Sequence, residues 1–258
     1  MVAVHNIYDY LDKIAPFKCQ DSTDNCGLLV GDFDSKAEKI LVCLDVTNEV
    51  INEAAKKRAE LIIAHHPLMY RPVKKIMSND PVYALIRNNI NFIAAHTNLD
   101  IADGGITDLM LELLGFLPSD VVIGGLRTGD AEYGKIAELD SPLTAKELAE
   151  KCKSAFSCTV VKYVDGGKPI KRVGLCSGGG GDLAEKALSM GCDAYICGDL
   201  RWDRHIFAKN CGLTLIDAGH FHTEDIFCAD LVKKLKNEFP GLDVKKADNS
   251  VDVCDYVL

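Results

Sequence analysis

The residues best suited to chemistry come directly after short apolar runs. Leu61-Ile62-Ile63-Ala64 stops in His65-His66-Pro67. Ile90 to Ala95 stops in His96, with Asp100 four residues later, and Leu213 to Ile216 leads through Gly219 to His220, with Glu224 four residues beyond. Apolar runs of this length read as buried strands, so the four histidines are expected at strand ends, where open α/β sheets keep their chemistry. Neighbouring side chains on extended backbone point to opposite sides, which for His65 and His66 suits two metals, or one ligand and one outer partner. Any one of these histidines alone reads as a satisfied polar residue at a strand end. Their recurrence on successive strands is harder to dismiss. Together they offer imidazole nitrogen and carboxylate oxygen without thiolate, a mixture suited to Zn²⁺, Mn²⁺, Fe²⁺, Co²⁺ or Ni²⁺. Such a set exceeds one closed tetrahedral zinc and fits a two-metal site completed by bridging carboxylates and water.

The elements that must position these groups follow from periodicity. Ile7, Leu11 and Ile14 mark an amphipathic helix over residues 4–15, and Gly27 to Val30 a brief strand. Residues 39–45, 48–58 and 61–64 read as strand, helix and strand, a βαβ unit with parallel strands. A loop broken by Pro67 and Pro72 leads to a short helix from Pro81 and a strand over 90–95. Glycine and charge are dense from Gly124 to Gly134, which places a domain boundary there. Beyond it come a strand over 133–139, a helix over 144–156, a strand over 159–164, a hairpin-like turn at Gly166-Gly167, a strand over 172–176, a helix over 183–190 and a strand over 194–197. The unit 172–199 repeats the layout of 40–66, which raises an internal duplication. A helix over 225–237 and an alternating edge strand over 251–258 complete the reading. The expectation is two interlinked α/β domains with mixed, largely parallel sheets, one formed by 1–125 with 213–258 and holding the metal site, the other by 126–212.

Composition narrows the function classes. A net charge of -9 disfavours a binder that works by neutralising nucleic-acid phosphates. No run approaches the roughly 18 apolar residues of a spanning helix, and the first residues lack a basic and an apolar signal region, so no membrane role and a cytoplasmic location are expected. Eleven scattered cysteines, none in a C-x-x-C pair, read as small core hydrophobes.

Asp24-Asn25-x-Gly27-Leu28, His65-His66-Pro67, His96-Thr97-Asn98-Leu99-Asp100, Cys197-Gly198-Asp199 and Gly219-His220-x-x-x-Glu224, in that order, resemble the NIF-three-like family, often labelled GTP cyclohydrolase 1 type 2 homologues. The resemblance spans nearly the whole chain. It implies a dinuclear centre with His65, His66, Asp100, His220 and Glu224 as ligands, the NIF-three-like fold, and a ring-shaped homohexamer. His96 matches a family histidine beside the site, where it would orient Asp100 or move a proton; a direct ligand role stays open.

The leading expectation is therefore a metal-dependent hydrolase acting on a nucleotide or a related amide or amidine, with His96 as acid or base. A non-catalytic metal-handling or regulatory protein is the alternative, and a DNA-encircling ring is opposed by the acidic balance. Ser177 to Gly181 can hold a phosphate or serve close packing in equal measure. Asp199 reads first as a cap for the helix from Trp202, Asp45 and Asn25 as outer-shell or turn residues, and Trp202 as packing or interface. Lys74 and Lys75 face either solvent or an anionic substrate. His222 creates a Gly-His-x-His resembling binuclear phosphoesterases, without their other motifs.

Overall fold

Runs such as Leu61–Ala64 are buried at every position, as strands covered on both faces must be. The computed structural model describes residues 1–122 and 132–257, in two units: 1–102 with 227–253, and 103–226 with 254–257. The stretch 124–134, expected to hold a domain boundary, lies largely outside the described residues.

The chain opens with β1 (Val2–Ala3) and α1 (Val4–Ile14), which buries Val4, Ile7 and Leu11, then β2 (Gly27–Val30) and β3 (Lys36–Ala37). β4 (Lys39–Cys43), α2 (Asn48–Lys57) and β5 (Leu61–Ala64) form the expected parallel βαβ unit. α2 is well specified locally. Thr47 accepts the N–H of Val50 at its start, Glu49 lies in the first turn, Lys56 and Lys57 in the last, and Arg58 ends it in the left-handed conformation at φ 55°. Its Val50, Ile51 and Ala54 pack with Leu41, Ile62 and Phe92 in one core. Each large apolar side chain buried there contributes roughly 1.5–3 kcal/mol. After α3 (Pro81–Arg87), capped by Asp80, β6 (Asn91–Ala94) pairs parallel with β5 and antiparallel with β2. α4 (Thr97–Ile101) follows at once.

The second unit starts with α5 (Ile106–Leu114), β7 (Leu117–Val122) and β8 (Lys135–Leu143). α6 (Ala145–Ala155) opens on a capping box between Thr144 and Glu147. β9 (Lys162–Val164), β10 (Ile170–Leu175), α7 (Ala184–Ser189), β11 (Ala194–Cys197), α8 (Trp202–Cys211) and β12 (Thr214–Asp217) complete a sheet of order β7-β8-β10-β11-β12-β9. β10, β11 and β12 are parallel, so β10-α7-β11 repeats the layout of β4-α2-β5. The turn at Gly166-Gly167 is not a hairpin: β9 pairs with β12 and β10 with β8, at separate places in the sheet. A Cβ on Gly166 would lie 2.6 Å from the carbonyl oxygen of Gly212, so glycine serves a close approach of two backbones.

α9 (His220–Glu224) precedes α10 (Ile226–Glu238), along which the chain returns to the first unit at Phe227. β13 (Asp243–Lys246) then pairs parallel with β4 and completes the sheet β13-β4-β5-β6-β2. This is the edge strand that was expected at 251–258; residues 251–257 carry no strand. Asp-Val-Lys-Lys buries only Val244, too little alternation to be read. β7 escaped for a like reason, since Pro118 and Asp120 imitate a turn. The units exchange chain at 102/103 and 226/227. The register Ala194↔Thr214 to Cys197↔Asp217 puts β12, and the residues that follow it, in the second unit.

Glu53, on α2 and only 6% exposed, accepts Lys57 Nζ at 2.6 Å and the backbone N–H groups of Asp248 and Asn249, both at 2.9 Å. Burial alone would raise its pKa, but the Lys57 bond and the two backbone donors hold it at about 2. This carboxylate ties the tail after β13 to the first βαβ unit. Glu53→Gln is expected to cost about 2 kcal/mol in urea unfolding at pH 7, the worth of a charged, buried hydrogen bond. The wild type's advantage is full above the ordinary carboxyl pKa and shrinks as pH falls towards about 2, so at pH 3 the difference should narrow.

Candidate metal centre

β5 and β6 are parallel neighbours in register Ala64↔Ala94, so the residues after them, His65, His66 and His96, emerge at the same end of one sheet. Their ring centroids are 4.9 to 5.4 Å apart, and one nitrogen from each lies within 4.8 Å of the others. The expectation that His65 and His66 point to opposite sides does not hold. β5 ends at Ala64, and beyond it the chain bends out of the extended geometry on which alternation depends. Asp100, in α4, brings Oδ1 to 3.7 Å from His65 Nε2.

Each ring is held by its other nitrogen. His65 Nδ1 is 2.8 Å from the carbonyl oxygen of Ala95, which can only accept, so Nδ1 carries the proton. His66 Nδ1 donates to Asp45 Oδ1 at 2.7 Å and His96 Nδ1 to Asp24 Oδ2 at 2.9 Å. In the neutral ring this leaves the lone pair on Nε2, the arrangement that orients metal-ligating histidines. Asp45, in the bend after β4, thus tethers the His66 ring. Asn25 donates to the carbonyl oxygen of Met69 at 2.6 Å and anchors the loop after His66.

Asp24 accepts from five donors: the N–H of Asn25 at 2.8 Å, His96, the hydroxyl and N–H of Thr97, and the Cys26 thiol at 3.1 Å. Burial acts to raise its pKa, yet the His96 bond and charge, then Thr97 and Cys26, hold it well below the usual carboxylate range. The Cys26 thiol is pushed up to about 12, first by burial and then by the Asp24 charge, so it stays protonated and donates.

The second unit carries its own pair. His220 and Glu224, four residues apart on α9, bring Nε2 and Oε2 to 2.9 Å. His220 Nδ1 donates to Asp199 Oδ2 at 2.7 Å, so Asp199 orients a histidine instead of capping α8, whose N-cap is Arg201. The parallel register Cys197↔Asp217 brings Asp199 alongside this turn. Burial would lower the pKa of His220, but the bonds and charges of Glu224 and then Asp199 outweigh it and raise the value to about 9.

The glycine-rich loop packs beneath this pair. A Cβ on Gly178, at φ +53°, would sit 1.9 Å from Glu224 Oε1, and one on Gly198 2.6 Å from the backbone nitrogen of His220. The N–H of Gly178 donates to Thr223 Oγ1 and that of Gly180 to the carbonyl oxygen of Gly178. Of the two readings of Ser177 to Gly181, close packing is the one these contacts favour. His222 turns its Nε2 to the N–H of Thr159 at 3.5 Å, and Trp202 is 76% exposed, so it is not a packing residue.

A family model described as Duf34/NIF3 (NGG1p interacting factor 3) matches residues 2–252. The chain belongs to the DUF34/NIF3 family. Curated relatives are named "GTP cyclohydrolase 1 type 2 homolog": that of Clostridium perfringens is 34% identical over 226 residues, 86% of each chain, and that of Clostridium acetobutylicum 33% identical over 239 residues, 90% of this chain and 89% of the other. A crystal structure of a Staphylococcus aureus hypothetical protein matches with a TM-score of 0.89 at 27% identity, over 99% of both chains. The mixed α/β fold, with parallel and antiparallel pairing in both large sheets, is thus that of a DUF34/NIF3 protein. Among the described residues no helix is long and apolar enough to cross a membrane. The histidine and carboxylate groups of this DUF34/NIF3 chain could hold a metal ion, and the donors are those the sequence singled out.

For an ion to coordinate His220 Nε2, the proton that Glu224 and Asp199 favour on the ring must leave. Below about 9 the metal therefore competes with that proton. Affinity measured against a competing chelator is expected to rise with pH up to that value, by at most about tenfold per unit for the single proton. Asp199→Asn, which removes one of the raising charges, should move the rise to lower pH.

Proposed function

We propose a dinuclear centre with His65, His66, Asp100, His220 and Glu224 as ligands of two divalent ions. The observation that carries this is the common tether: His65, His66 and His220 each commit Nδ1 to a carbonyl or carboxylate acceptor and keep Nε2 as the ligating edge. Structural histidines have no need of that shared tautomer. Neutral imidazoles with carboxylates and no thiolate suit zinc, iron, manganese, cobalt or nickel. The glycine at position 178 fits the same reading, because any larger residue would displace Glu224.

On this reading the protein is a metal-dependent hydrolase of GTP cyclohydrolase kind, acting on a nucleotide or a related amide or amidine. Bound divalent ions would supply Lewis acidity at neutral pH. His96 is the acid or base: Asp24 holds its Nδ1 proton, so Nε2 takes up or gives the proton that moves. Asp45 and Asp199 keep His66 and His220 turned the right way, and Asp24, held ionised, does the same for His96. The names carried by the curated relatives support the reaction class. A ring-shaped homohexamer and a cytoplasmic location belong to the same proposal. Metal handling without catalysis is the second reading, favoured by the partial exposure of His66 and His220, at 19% and 33% of their side chains, which would let ions exchange.

Metal analysis of the purified chain should find two divalent ions, with clear losses in His65→Ala and Glu224→Gln. Gly178→Ala should bind metal at least tenfold more weakly while its circular dichroism is unchanged. Variants that keep the wild-type metal content would refute the ligand set. Metal-loaded protein should turn over GTP or another nucleotide of a panel, and His96→Ala should slow this by about 10²-fold or more. Firmly held ions with no turnover and no transfer to an apo-acceptor would count against both readings.

A further inference from the structure

The loop that leaves the histidine cluster has an unusual charge for this chain. Residues 67–79 carry Arg71, Lys74 and Lys75 and no acid, in a protein of net charge -9. Several cations elsewhere are paired, as Lys57 is with Glu53, Lys135 with Asp108 and Arg204 with Asp182. Among the described residues, Arg71, Lys74 and Lys75 have no carboxylate within ion-pair distance, and all three are exposed.

Three exposed cations by themselves mean only a solvated face, and position is what separates these. The loop is fixed at both ends. Leu68 and Met69 pack against the first unit's core, with Asn25 bonded to the Met69 carbonyl, and Asp80 closes the other end by capping α3 and donating its N–H to the carbonyl oxygen of Met77. Between these anchors, the Tyr70 ring stands roughly perpendicular to that of His96, at 79° and a centroid distance of 5.7 Å, while half of the residue stays open to solvent. The loop thus begins one residue after His66, touches His96 with an aromatic ring, and then presents a guanidinium and two ammonium groups.

We infer that this loop is the anion-recognition element of the proposed centre, and that the ligand is a phosphorylated small molecule with a planar ring. Arg71 offers the planar fork that matches two phosphate oxygens, and Lys74 and Lys75 add mobile point charges. The open face of Tyr70 supplies a surface for the ring beside His96. The positive field on an acidic molecule concentrates anions where the histidines stand. This assignment takes the phosphate away from the Ser177–Gly181 loop, whose N–H groups at 178 and 180 are already committed. It rests on the proposed function only for the location of the chemistry.

Calorimetric titration of the metal-loaded, full-length chain with guanosine 5′-monophosphate, guanosine and inorganic phosphate tests the inference. The monophosphate should bind at least tenfold more tightly than guanosine, and its affinity should fall as salt is raised. The triple variant Arg71→Ala/Lys74→Ala/Lys75→Ala should lose that tenfold preference and most of the salt dependence, with unchanged metal content and melting temperature. Tyr70→Ala should weaken the monophosphate and leave inorganic phosphate as it was. Equal binding of nucleotide and nucleoside, no binding of any of the three probes, or a triple variant altered only in its oligomeric state would each overturn the assignment. A His65→Ala/Glu224→Gln chain that has lost its metal tells the two readings apart: retained phosphate preference there upholds the loop whatever becomes of the reaction.

Discussion

The structure depends above all on how four imidazoles are each held in place through Nδ1 by a carbonyl or carboxylate oxygen. A histidine at a strand end can rotate and can carry its proton on either nitrogen. A hydrogen bond from Nδ1 to an oxygen that only accepts removes both freedoms. The acceptors are the Ala95 carbonyl for His65 and the carboxylates of Asp45, Asp24 and Asp199 for His66, His96 and His220. Every other feature of the two clusters serves to bring such an acceptor to its ring.

Sheet register does most of this. Cys43 faces Ala64 across β4 and β5, so Asp45 arrives opposite His66 two residues on. Gly27 faces Ala94 across the antiparallel pair β2 and β6, which brings Asp24 opposite Thr97 and within reach of His96. In the second unit the parallel pair β11 and β12 does the same for Asp199. β5, β6, β11 and β12 are buried along their whole length, so a slip of one residue would exchange the side chains packed on their two faces. Burial energy is thereby converted into the placement of polar groups at the rim. Close backbone approaches at Gly178 and Gly198 let α9 settle against the glycine loop, and they account for glycines that would otherwise suggest a phosphate cradle.

The polar tethers also affect what the clusters can do. Asp24 stays ionised under a load of five donors and so holds His96 firmly. In His220 the same kind of tether, together with Glu224, favours the protonated ring. Two histidines of similar local sequence thus stand in different electrostatic settings, because one faces a single carboxylate and the other lies between two.

Much of this was legible without coordinates. The parallel βαβ units, the strand ends at His65, His96 and His220, and the four-residue spacing of His220 and Glu224 follow from periodicity that local residues alone dictate. Elements carrying little apolar signal were not: β13 buries only Val244, β7 carries Pro118 and Asp120, and the Gly166-Gly167 turn looks like a hairpin although its flanking strands part. The roles of Asp24, Asp45 and Asp199 were equally hidden, since each lies 21 or more residues from its histidine. Residue type and short-range spacing thus determined which side chains are able to bind a metal, because tautomer chemistry and strand periodicity are local properties. Only the tertiary structure decided which oxygen holds which ring, because that depends on strand order and register, which distant parts of the chain choose by burying their apolar faces together.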